Sequence, residues 1–133
     1  MQIGEVRERT GLSLRTIRYY EEMGLIRPSS RTSGGFRLYT DVDVARLMLI
    51  KRMKPLDFSV EEMRDLLGVL DAFEADEEPH GGRAALLDRL TMYREAADAR
   101  VRALREQLET AEHFAKDLRR EITRRRRVAE PKE

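Results

Sequence analysis

The chain contains no cysteine among its 133 residues. That absence excludes disulfides, thiolate zinc or copper sites and cysteine-held iron–sulfur clusters. No run of residues approaches the apolar length of a membrane span, and the N-terminal stretch lacks the apolar core of a secretion signal. The expectation is a cytoplasmic protein with no membrane partner. Catalytic equipment is equally sparse: there is no cysteine nucleophile, no glycine-rich phosphate loop and no metal-ligand spacing. The two histidines, His80 and His113, fall in a polar linker and in a long periodic segment. The residues point away from an enzyme, a metal site or a cofactor.

What is present is charge. Charged residues make up 38% of the chain and leave a modest core, enough for one domain plus an appendage or for an elongated subunit. The net charge of +1 hides a segregation. Residues 1–54 carry 11 Lys and Arg against 6 Asp and Glu, residues 55–81 carry 1 against 9, and residues 82–133 carry 14 against 10. The basic N-terminal part is therefore the end suited to nucleic acid. Arginine outnumbers lysine 22 to 4, a composition that fits a G+C-rich genome.

The stretch from Ser13 to Tyr39 organises the rest. Ser13 has the chemistry of an N-cap and Gly24 that of a left-handed helix end, which predicts one short helix over Leu14 to Met23. If Leu14, Ile17 and Tyr20 turn toward a core, Arg15, Thr16, Arg18 and Tyr19 are left on or near the open face. Guanidinium groups hold phosphates or a guanine edge, hydroxyls meet base edges, and a tyrosine hydroxyl reaches a phosphate. A solvated basic helix is the other reading of the same residues. Downstream, Leu25-Ile26 and Phe36 to Tyr39 are expected to form two short strands. The polar turn between them, Arg31 to Gly35, has a glycine pair that supplies positive φ angles.

Arg18-Tyr19-Tyr20-Glu21, Gly24-Leu25, Pro28, Arg31, Gly35-Phe36-Arg37 and Tyr39 together resemble the N-terminal DNA-binding domain of the MerR family of bacterial transcription regulators. The resemblance implies a mainly α fold: a winged helix-turn-helix head with a small β-hairpin wing, and a long C-terminal helix forming an antiparallel coiled coil. It makes Ser13 to Met23 the recognition helix and the hairpin the wing. The DNA contacts it implies are Arg15, Thr16, Arg18, Tyr19, Tyr20, Arg31, Gly35, Phe36, Arg37, Tyr39 and Lys54. The implied partners are double-stranded DNA, a second copy of the chain and, at the promoter, RNA polymerase. The effector is unknown.

Taken from its start, the chain places Ile3 and Val6 on a first helix that Thr10-Gly11 can end, and Gly11 to Ser13 form the tight turn into the second. Arg7 and Arg9 are either phosphate contacts or solvated. Thr40 to Asp43 and Ser59 to Glu62 have capping-box form, each opening an amphipathic helix, and Pro55 stops the first. The family commonly has glycine where this chain has Asp57, which leaves the intervening turn open. Val60, Met63, Leu66, Leu67 and Leu70 are the expected core side of the second, which runs to about Phe73. Glu74 to Gly82 reads as an acidic linker. A hard-metal site built on Glu74, Asp76, Glu77, Glu78 and His80 is disfavoured, because nothing there imposes a coordination geometry.

From Arg83 no glycine or proline occurs until Pro131. Leu87, Leu90, Ala97, Val101, Leu104, Leu108, Ala111, Ala115, Leu118 and Ile122 fall on alternating steps of three and four, with Arg94 the polar member. Some 40 residues of helix would extend about 60 Å, at about 1.5 Å per residue. A seam of that length requires a partner, most simply its own copy. The expected divisions are a head over residues 1–73, a linker over 74–82, a dimerisation helix over 83–127 and a disordered tail over 128–133. Arg124 to Arg127 read as a solvated, frayed helix end. The resulting expectation is a homodimeric, sequence-specific regulator that binds a near-palindromic promoter and distorts its spacer. A repressor or architectural protein, a module whose long helix recruits another protein, and a small-molecule sensor are the alternatives.

Overall fold

The computed structural model describes residues 1–28, 30–75 and 81–129. They separate into two compact units, Met1–Arg94 and a second that begins at Glu95. Helix α1 (Ile3–Thr10) turns Val6 and Thr10 inward and ends at Gly11, whose φ of 71° is left-handed. The Thr10 hydroxyl donates to the Val6 carbonyl at 2.8 Å, and Lys51 Nζ donates to the Thr10 carbonyl at 2.7 Å. A cation is favoured there because the C-terminal carbonyls of a helix carry partial negative charge. Helix α2 (Leu14–Glu22) begins under the expected cap, with Ser13 Oγ accepting from the Thr16 N–H at 3.1 Å. It ends in a Schellman motif: Gly24 has φ 77°, its N–H donates to the Glu21 carbonyl, and the Leu25 N–H donates to the Tyr20 carbonyl, both at 3.0 Å.

The hairpin differs from expectation in its first strand. β1 is Ser30–Arg31 and β2 is Arg37–Leu38, paired antiparallel with Ser30 opposite Leu38 and Arg31 opposite Arg37. Leu25 and Ile26 instead leave the Schellman turn directly into the core, where both are almost fully buried. Adjacent residues of a strand face opposite sides, so burying both side chains is incompatible with a surface hairpin. The turn closes through Thr32, whose N–H donates to the Phe36 carbonyl at 2.7 Å and whose carbonyl accepts from the Gly35 N–H at 2.9 Å. Of the glycine pair, Gly35 alone has positive φ, at 84°.

Helix α3 (Asp41–Met53) and helix α4 (Val60–Glu74) both open with complete capping boxes, Thr40 with Asp43 and Ser59 with Glu62. Between them Lys54–Leu56 form a 3-10 turn that places Pro55 early, where its missing N–H costs nothing, and Asp57 closes the turn at φ 61°. The core of this unit is built by Val6, Ile17, Leu25, Ile26, Leu47, Ile50, Met63 and Leu67. On α4 the buried set includes Val69, which the periodicity did not select, whereas Leu70 lies at the surface.

Helix α5 (Gly82–Ala129) starts within the first unit and buries Leu86 there. The Tyr93 ring lies 6.2 Å from that of Phe58, its hydroxyl donates to Asp65 Oδ2 at 2.6 Å, and Arg89 pairs with the same carboxylate. The Arg83 guanidinium stands over the Phe73 ring at 5.0 Å. In the second unit the described residues are the remainder of α5. The helix carries on through Val128 and Ala129, two residues past the expected end. Asp76 to His80, the middle of the expected linker, and residues 130–133 lie outside the described residues.

Candidate nucleic-acid interface

The packing of α2 decides what it can offer. Ile17 and Tyr20 face the core, so Arg15, Arg18 and Tyr19 stand exposed on the other side, with Thr16 partly covered. Thr16 Oγ1 lies 2.8 Å from Ser13 Oγ, which ties its hydroxyl to the cap. Among the described residues neither Arg15 nor Arg18 has a carboxylate within ion-pair distance, and both are free to meet phosphates.

Arg18 of α2 and Arg31, Gly35, Phe36, Arg37 and Tyr39 of the hairpin line one open groove of about 640 Å³, together with Gln2, Ile3, Glu21 and Glu22. Arg37 Nη1 donates to Glu21 Oε2 at 3.1 Å, and the Tyr39 hydroxyl donates to the same oxygen at 3.0 Å. Arg31 Nη1 donates to the Gly35 carbonyl at 3.3 Å across the turn. Phe36 is largely exposed at the hairpin tip. The groove thus brings three guanidinium groups and one exposed aromatic ring together, a set matched to a phosphate backbone and its sugars.

Two expected contacts are placed differently. Tyr20 is 3% exposed and Tyr39 2%, so both rings are packed into the core, and of the two only Tyr39 also borders the groove. Burial raises the pKa of both above the ordinary tyrosine value; the neighbouring Tyr19 adds to the shift of Tyr20, and the Glu21 carboxylate to that of Tyr39. Both rings stay neutral and apolar where a charge would cost most. Lys54 is exposed at the end of α3 but does not line the groove. Arg9 is committed to Glu5 at 3.1 Å and Asp41 at 2.8 Å, which leaves Arg7 the freer of the first two arginines.

Several positioning residues were not read from the sequence. Lys51 holds the end of α1. Arg46 donates to the Leu25 carbonyl at 3.1 Å and pairs with Asp71 at 2.6 Å, and Arg64 donates to the Met23 carbonyl. Two arginines from α3 and α4 therefore clamp the C-terminal end of α2. Nothing local marks them, because their acceptors are backbone carbonyls 21 and 41 residues away.

A helix-turn-helix whose second helix stands beside a two-stranded hairpin, with arginines of both facing one groove, defines a winged helix-turn-helix DNA-binding protein. The chain belongs to the MerR family: the model of the MerR HTH family regulatory proteins matches residues 1–69. The transcriptional regulator HmrR of Rhizobium leguminosarum bv. viciae is 42% identical over 114 residues, which cover 86% of this chain and 83% of that one. Among solved structures, the transcription regulator PbrR691 from Ralstonia metallidurans CH34, in complex with lead(II), is 35% identical, with a TM-score of 0.53 over 90% of this chain and 86% of that one. HiNmlR, a MerR-family regulator lacking the sensor domain and bound to promoter DNA, shares the fold at a TM-score of 0.67, with 21% identity over 85% of this chain and 78% of its own. The chain is thus a DNA-binding transcriptional regulator.

Proposed function

We propose that this regulator binds a near-palindromic promoter as a homodimer and distorts the spacer, so that RNA polymerase engages both promoter elements. Arg15, Thr16, Arg18 and Tyr19 of α2 enter the major groove. Arg31, Gly35, Phe36 and Arg37 of the wing, with Lys54, hold the flanking backbone, while Tyr20 and Tyr39 support them from the core. Residues 1–73 form the DNA-binding part, 74–82 the linker and 83–127 the dimerisation helix. The assignment to the cytoplasm, at the nucleoid, follows from the DNA partner. No described helix is long and apolar enough to cross a membrane.

The observation that carries the reading is the convergence of Arg18, Arg31 and Arg37 on one groove. Deforming DNA costs on the order of 1 to 10 kcal/mol, which phosphate contacts at both half-sites must offset. The test is a titration of Arg18→Ala against a labelled duplex carrying the strongest site in a genome-wide footprint of this protein. The variant should lose about 1 to 3 kcal/mol of binding at matched salt while melting with the parent. Unchanged affinity would remove α2 from the interface.

The lead(II) bound to PbrR691 raises the question of a metal effector here. A thiophilic cation selects thiolates. This sequence has none, and no group of three or more His, Asp or Glu side chains among the described residues is placed to hold a metal ion. The residues present therefore do not supply the thiolate donor set that such a cation selects.

A further inference from the structure

Helix α2 brings a carboxylate, Glu21, into the groove that Arg18, Arg31 and Arg37 share. A bare carboxylate beside a phosphate-binding surface opposes binding, yet this one is neither bare nor exposed. Its side chain is 13% exposed, and one oxygen accepts from both Arg37 Nη1 and the Tyr39 hydroxyl. Tyr39 is a rigid support: its ring is buried, its backbone N–H donates to the Met1 carbonyl at 2.7 Å, and its own carbonyl accepts from the Met1 nitrogen at 2.8 Å. Arg37 spends one N–H on Glu21. Its side chain remains 40% exposed, and its Nε and Nη2 have no partner among the described residues.

We propose that Glu21 is a positioning residue that holds the Arg37 guanidinium of the wing against the recognition helix, so that its remaining donors are aimed at a phosphate before DNA arrives. The proposal rests on the reading of the groove as the DNA interface. An arginine free to explore its rotamers must be ordered during binding, a cost of roughly three- to ten-fold in affinity. With Glu21 in place that ordering is complete in the free protein. The opposing effect, repulsion between Glu21 and DNA, is muted because Arg37 neutralises the carboxylate.

The experiment is a double-mutant cycle on the footprinted duplex, with salt titrations of the parent, Glu21→Ala, Glu21→Gln, Arg37→Ala and the Glu21→Ala/Arg37→Ala double variant, and Arg18→Ala alongside. Glu21→Ala should bind about five- to ten-fold more weakly, with the salt slope lowered by as much as about one unit as the Arg37 contact is lost. Glu21→Gln retains an acceptor oxygen and should recover most of the affinity. In the Arg37→Ala background, loss of Glu21 should change affinity less than about two-fold, because the residue it acts through is absent. Equal losses in both backgrounds would make Glu21 merely structural, and parent-like or tighter binding by Glu21→Ala would make it merely repulsive. Either result overturns the proposal. If Glu21→Ala melts below the assay temperature, Glu21→Met, which fills the space without acceptor oxygens, carries the same comparison. Parent-like binding by both Arg18→Ala and Arg37→Ala would sink the interface reading itself, whereas losses in those two with none in Glu21→Ala would sink only the positioning role.

Discussion

Asp57 holds the backbone at φ 61°, the one non-glycine residue with positive φ among the described residues. An L-residue in that region costs about 1 to 2 kcal/mol. Glycine removes this strain but brings about 0.5 to 1 kcal/mol more chain entropy to the unfolded state. Asp57→Gly should therefore raise the unfolding free energy by about 0.5 to 1 kcal/mol in urea. A fall would mean that the carboxylate stabilises the turn in its own right. A second residue-level expectation concerns pH. Tyr20, Tyr39 and Tyr93 all have pKa values raised above 10.0, burial being the largest cause for each. The native state keeps protons that the unfolded chain releases, so this contribution is fully present below the unfolded value and is lost as pH rises through the folded ones. Urea titrations at stepped pH should show unfolding free energy falling above about pH 10. A flat profile there would mean that the three hydroxyls ionise as freely in the fold as out of it.

At the scale of elements, α5 has two faces with different tasks in successive stretches. Leu86 is 5% exposed while its neighbour Leu87 is 51% exposed. Leu86→Ala should cost the head about 2 to 5 kcal/mol, the range for a buried leucine, and Leu87→Ala less than about 1 kcal/mol in the same urea measurement. Equal costs would place both residues in one interface. The contrast also shows what was legible in the sequence. The caps at Ser13, Thr40 and Ser59 could be read because a side chain reaching its own helix is a local event. The α2 faces followed from periodicity, and with them Arg15, Arg18 and Tyr19. Leu86 was invisible because it falls outside the heptad series that begins at Leu87, and the first turns of α5 answer to Phe58, Asp65 and Phe73 on other elements. The first strand was misplaced for the same reason: Leu25 and Ile26 look like strand residues, and the core claims both. Glu21 stood inside the motif, but its partners Arg37 and Tyr39 lie 16 and 18 residues downstream.

At the scale of the whole molecule the question is what covers the second unit. Along it Leu104, Leu108, Leu118 and Ile122 are each about half exposed, and Phe114 beside them is 65% exposed. An exposed apolar row of this kind on one helix is the mark of an interaction surface. The heptad spacing matches a second copy, with Ala111 and Ala115 permitting close approach. A charge placed in that seam must be desolvated against the facing helix, a penalty far above that of a surface substitution. Leu104→Glu should therefore be monomeric by sedimentation, while the head, whose core lies before Glu95, melts as the parent does. One head makes only half of the phosphate contacts, and affinity falls steeply with their number. The variant should fail to bind the footprinted duplex at concentrations that saturate the parent, whereas Leu104→Ile, keeping the seam apolar, should bind. A Leu104→Glu protein that stayed dimeric and bound normally would assign the exposed row to another partner and remove the symmetric mechanism proposed for the promoter.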